Sequence, residues 1–206
     1  MDAKLFTSAT KIKPVAQITS PSSRIIVLPL PSRGHIGRLR FRALDLPCAL
    51  GRSGTVAIKR EGDGGTPVGR MRLVNLIVRR DRIPGPACAL PSRPIGRRDG
   101  WCDDRSDGKY NRPVRLPVSA SAEILWRDDR VYDVIGILDW NLRPRIRGRG
   151  SAIFLHLCRP GFQPTEGCIA LRRADLLRLL AICGSRPVFD IAPPPRRKHR
   201  LPTVKD

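Results

Sequence analysis

From Arg24 onward the apolar residues come in short runs cut by glycine and proline. Residues Ile25–Leu28, Gly37–Ala43, Thr55–Lys59 and Arg70–Val78 read as strands, and their spacing is that of an all-β sandwich or barrel. Between the last two, Gly62-Asp63-Gly64-Gly65-Thr66-Pro67 predicts a tight turn linking two strands, because Asp-Gly and Gly-Gly supply positive φ and Pro67 ends pairing. From Arg79 to Leu116 the density of Pro, Gly, Asp and Arg rises and the periodicity disappears, which predicts a long excursion; a structureless loop of that length in a compact domain is usually functional or mobile. Strands resume at Val131–Leu138 and Ala152–Leu157. A helix is expected at 174–183, where Leu176, Leu177, Leu179 and Leu180 form an apolar stripe with Arg173 and Arg178 outside it, and Val188–Ile191 would close the sheet. The Pro193–Arg200 stretch is a Pro-rich basic tail that cannot bury apolar surface. The expected organisation is a flexible segment over 1–23, one mainly β domain over 24–192 and a disordered tail over 193–206.

Composition fits this picture. Of 206 residues, 41% are hydrophobic, enough for the core of one domain, and no apolar run approaches the ~18 residues that span a bilayer, so no transmembrane segment is expected. The charge is extreme: 39 Lys and Arg against 18 Asp and Glu give +21. Such a balance invites a polyanion, nucleic acid or cell-wall material. The arginines are nonetheless spread along the chain, as Arg38/Arg40/Arg42, Arg79/Arg80/Arg82 and Arg143/Arg145/Arg147/Arg149, and alternation of this kind also describes the solvated face of a strand. Aromatic residues at 5% leave few platforms for stacking bases, which weighs against nucleic acid.

Residues 1–23 lack the apolar core of an export signal, so a cytoplasmic location is expected from the chain as written; an organelle presequence or a different start would alter that. Six cysteines without regular spacing fit a reduced compartment better than a disulfide scaffold. With three histidines and no Cys-x-x-Cys, neither a metal nor another cofactor is expected.

The chemistry concentrates in Ser151–Leu171. An apolar strand delivers His156, a loop rich in Pro and Gly follows, and Gly167-Cys168 is presented just before the chain turns towards the helix. A thiol becomes a useful nucleophile when an imidazole takes its proton, and a neighbouring glycine lets a substrate carbonyl approach backbone N–H groups that hold its oxyanion. Buried cysteines are also common as small hydrophobes, which is the reading for Cys48 and Cys183; Trp126 and Trp140 are read as packing residues. Cys158, two residues after His156, is a possible decoy nucleophile.

The full string resembles the catalytic signature of the L,D-transpeptidase (YkuD-like) family, in which a strand His precedes a Ser/Thr-His-Gly-Cys segment followed by an apolar residue and often Arg. Thr165, Gly167, Cys168, Ile169 and Leu171 match that order. Upstream, Lys59-Arg60-Glu61-Gly62-Asp63-Gly64-Gly65-Thr66-Pro67-Val68-Gly69-Arg70-Met71 resembles the family's Gly-rich turn and Thr-Pro-x-Gly motif. The departures are Glu166 where the family has His, Ala170 where Arg is common, and a short loop between His156 and Thr165; Arg172 or Arg173 would replace the missing Arg.

The resemblance implies an L,D-transpeptidase-type β-sandwich or barrel with one or more short helices, and an acyl transfer on peptidoglycan stem tetrapeptides or muropeptides. Cys168 would attack the carbonyl before a terminal D-Ala, His156 would relay protons, and the N–H groups of Gly167 and Cys168 would hold the oxyanion. Transfer to an amine gives a cross-link, and transfer to water gives an L,D-carboxypeptidase, which suits cytosolic trimming of recycled fragments; the family's usual export would place the chain in the periplasm or envelope. Tyr110, Asn111, Arg159, Thr165, Glu166 and Arg172 are the expected substrate-binding residues, with Glu166 either pairing with Arg159 or holding a substrate amine, and its charge raising the Cys168 pKa. No obligatory protein partner is implied. A catalytically inert cell-wall binder and a polyanion-binding β domain stand as alternatives.

Overall fold

The computed structural model describes residues 24–31 and 33–194; the flexible segment expected over 1–23 and nearly all of the expected tail lie outside the described residues. The fold is mainly β, with 40% strand and 8% helix. Three antiparallel strands open it, β1 (Arg24–Leu30), β2 (Arg33–Phe41) and β3 (Leu44–Ala49). Two short strands, β4 (Thr55–Val56) and β5 (Thr66–Pro67), pair in parallel across the Gly-rich turn, in which Gly62 and Gly64 take φ of +75° and +65°. Pro67 therefore contributes to a pairing instead of ending one. The long β6 (Gly69–Val78) follows, then β7 (Ser92–Pro94), β8 (Asp99–Cys102), β9 (Arg112–Arg115), β10 (Ala122–Ile124), β11 (Val134–Leu138), β12 (Phe154–Leu157), β13 (Ile169–Leu171), helix α1 (Arg173–Ile182) and β14 (Val188–Ile191).

The ladder β11-β12-β13-β3-β2-β1-β14-β6 closes on itself because β6 also pairs with β11, and the short β7 is appended to β6 as an exposed edge. Inside lie Ile25, Val27, Leu39, Phe41, Leu76, Val78, Leu155, Leu157 and Phe189, joined by Leu176, Leu179 and Leu180 of α1. Each such side chain contributes about 1.5–3 kcal/mol when fully buried. The intervening residues of the same strands point outward and are buried too: Ile77, Ile135, Ile137 and Phe154 pack with Trp101, Leu125, Val131 and Tyr132 under a second sheet of order β10-β8-β9. Strands covered on both faces read as continuous apolar runs, which is why β11 and the end of β6, Leu76–Val78, were legible.

The excursion expected over Arg79–Leu116 is corrected by the structure. It contains β7, β8 and β9, and it buries Ile95, Trp101, Tyr110 and Val114. Its order comes from polar groups that carry no periodicity. Buried Asp99 accepts from the Gly96 N–H at 2.9 Å and from Arg93 and Arg115 at 2.5 Å each, and these bonds outweigh burial, holding its carboxyl below the usual range. A second correction concerns Arg143–Arg149, which occupy the loop between β11 and β12, not a strand face. Among the described residues no helix is long and apolar enough to cross a membrane.

Candidate active site

Two sequence motifs about a hundred residues apart meet beside Cys168. Gly51 bridges to Thr165: the Thr165 N–H donates to Leu50 O at 2.9 Å and the Arg52 N–H to Thr165 O at 2.8 Å. The Thr66 hydroxyl, which accepts from the Gly51 N–H at 2.8 Å, donates to Cys168 O at 3.4 Å. Thr165 closes the turn from within, donating to Cys168 O at 2.8 Å and accepting from the Gly167 N–H at 3.2 Å. Gly167 has φ of +128°, and a Cβ there would lie 2.7 Å from Gly65 O, so the turn admits only glycine without a shift. The expectation that Thr165 binds substrate gives way to a clamp on the turn, and the Gly167 N–H is already engaged.

Cys168 and His156 lie on one face of adjacent parallel strands. His156 is in register with Ala170, two residues beyond Cys168, and alternation puts both side chains outward with Phe154. Both are nearly closed to solvent, at 7% and 5% exposure. The thiol donates to Ala152 O at 3.2 Å and accepts from the Phe154 N–H at 3.3 Å. His156 Nδ1 lies 2.9 Å from Leu157 O, an acceptor, so the hydrogen sits on Nδ1 and the Nε2 lone pair is left to take a proton. Tyr132 packs edge-on against the imidazole at 5.3 Å and against Phe154 at 6.2 Å, joining the two groups through one ring.

The electrostatics favour neutral partners at rest. Burial pushes the Cys168 thiol up to about 12, with the Glu123 charge adding to the rise and the Phe154 N–H and Lys59 opposing it. Burial brings His156 down to about 4. A thiolate–imidazolium pair is therefore not the resting state, and the proton must move during reaction. The carboxylate acting on the thiol is Glu123 of β10, not Glu166. Glu123 accepts from the Tyr132 hydroxyl, and burial raises its pKa despite that bond. Glu166 turns outward, 75% exposed, and pairs with Arg52 instead of Arg159.

The remaining expected residues sit elsewhere. Asn111, 2% exposed, accepts from Trp101 Nε1 at 2.9 Å and the Ala152 N–H at 3.1 Å and donates to Trp140 O and Asn141 O. It braces the loop that carries the thiol's acceptor. Tyr110 is buried beside it, its hydroxyl donating to Glu61. Arg159 pairs with Asp129 at 3.2 Å and Arg172 stacks on Phe162 at 4.9 Å; together with Cys158 they line a separate cavity at the far end of β12. Cys48 and Cys183 are in the core, and all six cysteines are free. Among the described residues no cluster of three or more metal-ligating side chains occurs.

Sequence reading missed Lys59, Glu123 and Tyr132. Lys59 is 3% exposed, pairs with Asp63 and lies against Gly167, where its Nζ would be 3.4 Å from an added Cβ. Its signal was its place in the Gly-rich motif. Glu123 and Tyr132 carry none, since only the folding of the small sheet brings them to the thiol.

No curated protein matches the chain. The family model described as the L,D-transpeptidase catalytic domain, YkuD, matches residues 32–189, a span that runs from β2 into β14 and includes the Gly-rich turn, His156 and Cys168. On that match the chain belongs to the YkuD L,D-transpeptidase family.

Proposed function

We propose that residues 24–192 form a cysteine-dependent acyltransferase acting on peptidoglycan stem tetrapeptides, with Cys168 as nucleophile and His156 as base. The observation that carries this reading is the placement, on one face of adjacent strands, of a buried thiol and an imidazole whose Nδ1–H is tied to Leu157 O, which leaves Nε2 as an acceptor. Sγ attacks the carbonyl carbon before the terminal D-Ala, and its proton passes to His156 Nε2. The oxyanion is held by the Cys168 N–H with Gly167 shaping the approach. Collapse breaks the peptide bond, His156 returns the proton to the departing D-Ala amine, and a thioester remains. An acceptor amine then displaces Sγ to form the cross-link.

Water in that last step would make the protein an L,D-carboxypeptidase. Glu123 favours an amine, because a carboxylate near the thiol attracts an incoming ammonium and can take the proton it must lose before attack. Against the polyanion-binding alternative, several of the arginines are engaged by neighbouring acids, Arg38 and Arg40 with Asp45, Arg72 with Asp139, Arg79 with Asp81 and Arg82 with Asp133.

The test is incubation of the full chain with a disaccharide tetrapeptide, following intact protein mass and products. A thioester adduct and D-Ala release, both abolished by Cys168→Ala in a folded protein, are expected, with a cross-linked dimer when an amine is present. Tripeptide alone would assign water as acceptor. Turnover that survives Cys168→Ala would refute the mechanism.

A further inference from the structure

Four arginines without an acidic partner among the described residues are gathered around one concavity. A cavity of about 340 Å³ is lined by Lys59, Arg60, Glu61, Arg105, Arg147 and Arg149, drawn from three separate segments: the β4–β5 turn, the β8–β9 loop and the β11–β12 loop. Arg60, Arg105, Arg147 and Arg149 each form no ion pair with an acid among the described residues. The one carboxylate in the wall, Glu61, is engaged by the Tyr110 hydroxyl. Four guanidiniums facing one concavity repel one another, and an anion in their midst relieves that repulsion.

Lys59 connects this cavity to the nucleophile. Its side chain is buried and passes across Gly150, where an added Cβ would fall 2.9 Å from its methylenes; Gly150, at φ of +90°, leaves room for that passage. Its ammonium ends beside Gly167, one residue before Cys168, and is balanced by Asp63, which also accepts the N–H groups of Arg60 and Gly65 at 2.7 and 2.8 Å. The ammonium donor of this ion pair thus stands one residue from the nucleophile.

We propose that this cavity is the subsite for the free carboxylate of the residue leaving from the donor peptide, with Lys59 contacting it and Arg60, Arg105, Arg147 and Arg149 supplying the surrounding field. The assignment rests on the acyl-transfer reading above. Consecutive Cα atoms are about 3.8 Å apart, so a terminal carboxylate lies one residue beyond the attacked carbonyl, and the assignment requires the donor's end to run from Cys168 towards Lys59. The subsite selects donors that end at this residue and excludes peptides that continue past it. It also makes donor binding weaken as salt rises.

The test separates binding from chemistry. Full-length Cys168→Ala protein is titrated with a fluorescent stem tetrapeptide ending in a free carboxylate and with the same peptide ending in a carboxamide. The titration is repeated with Lys59→Met and with the exposed pair Arg147→Gln/Arg149→Gln added, so that a folding defect at buried Lys59 does not decide the outcome; turnover of both peptides is measured with Cys168 restored. Expected is at least a tenfold lower Kd for the carboxylate, shrinking several-fold in the arginine pair and with added salt. Equal Kd for the two peptides, or a preference unchanged in the arginine pair, overturns the subsite even where turnover is normal. A carboxylate preference without any thioester leaves the subsite standing and overturns the acyl-transfer reading. Failure to bind either peptide overturns both.

Discussion

Replacing Gly167 by alanine tests whether the turn that presents the thiol is as tightly packed as the geometry requires. A Cβ at φ of +128° occupies a region that L-residues rarely adopt, costing about 1–3 kcal/mol. It would also lie 2.7 Å from Gly65 O. Gly65 cannot retreat freely, since its N–H is held by Asp63 at 2.8 Å and the next residue's N–H donates to Gly54 O at 2.8 Å. Overpacking of this kind costs about 1–3 kcal/mol more. A total near 3 kcal/mol, at about 2–4 °C per kcal/mol for a domain of this size, lowers Tm by about 6–12 °C. The smaller structural effect has the larger functional consequence. Displacing Cys168 by even ~1 Å would slow acylation about a hundredfold. Thermal melting by circular dichroism and the rate of thioester formation by mass spectrometry read the two effects. A Tm within 2 °C of the parent together with an acylation rate within threefold would show that the Gly65–Gly167 contact is not rigid, and the argument for the turn would fail.

Acid stability offers a second measurement. The unfolded chain binds a proton at His156 below 6.5, whereas the fold resists it down to about 4, so stability falls as pH drops through that interval. The interval is worth about 3 kcal/mol; urea titrations at pH 7 and pH 4 are expected to show the parent losing that much more than His156→Gln, and parallel losses would contradict the buried neutral imidazole. Asn111→Ala removes the acceptor shared by Trp101 and Ala152 and the donor to Trp140 O and Asn141 O. Leaving these buried groups unpaired costs about 2–4 kcal/mol, and because Ala152 O holds the thiol hydrogen, both Tm and acylation should drop; a drop in neither would make Asn111 a bystander.

What was legible in the sequence follows from which groups carry each part of the fold. Strands β11 and β12 announced themselves because both of their faces are buried, β6 because Met71 and Leu73 alternate with exposed Arg70, Arg72 and Val74 before the apolar run Leu76–Val78, and α1 because Leu176, Leu179 and Leu180 repeat at helical spacing. Cys168 and His156 were found because a nucleophile and its base must be chemically particular and because the turn between them needs glycine. The β8–β9 region was read as a loop because its organiser is Asp99 bonded to two arginines, and a buried polar knot leaves no period in the sequence. Strand β3 was missed for a related reason: Asp45 and Pro47 interrupt its apolar pattern, yet Asp45 faces outward to Arg38 and Arg40, and Pro47 still takes its place in the ladder opposite Arg38.

The same blindness misread the charge. Alternating arginines from Arg143 to Arg149 look like a strand face, but Pro144, Gly148 and Gly150 break the chain into a loop, held where Asn141 accepts the Ile146 N–H and donates to Gly150 O and where Trp140 donates to Arg149 O. Those bonds turn Arg147 and Arg149 towards Lys59 and Arg105, converting a +21 chain's diffuse surplus into a local field beside the thiol. Net charge, which from composition suggested a polymeric anion spread along the surface, is in part offset by neighbouring aspartates, and four of the arginines that have no such partner among the described residues line one cavity that Lys59 joins to the turn before the thiol.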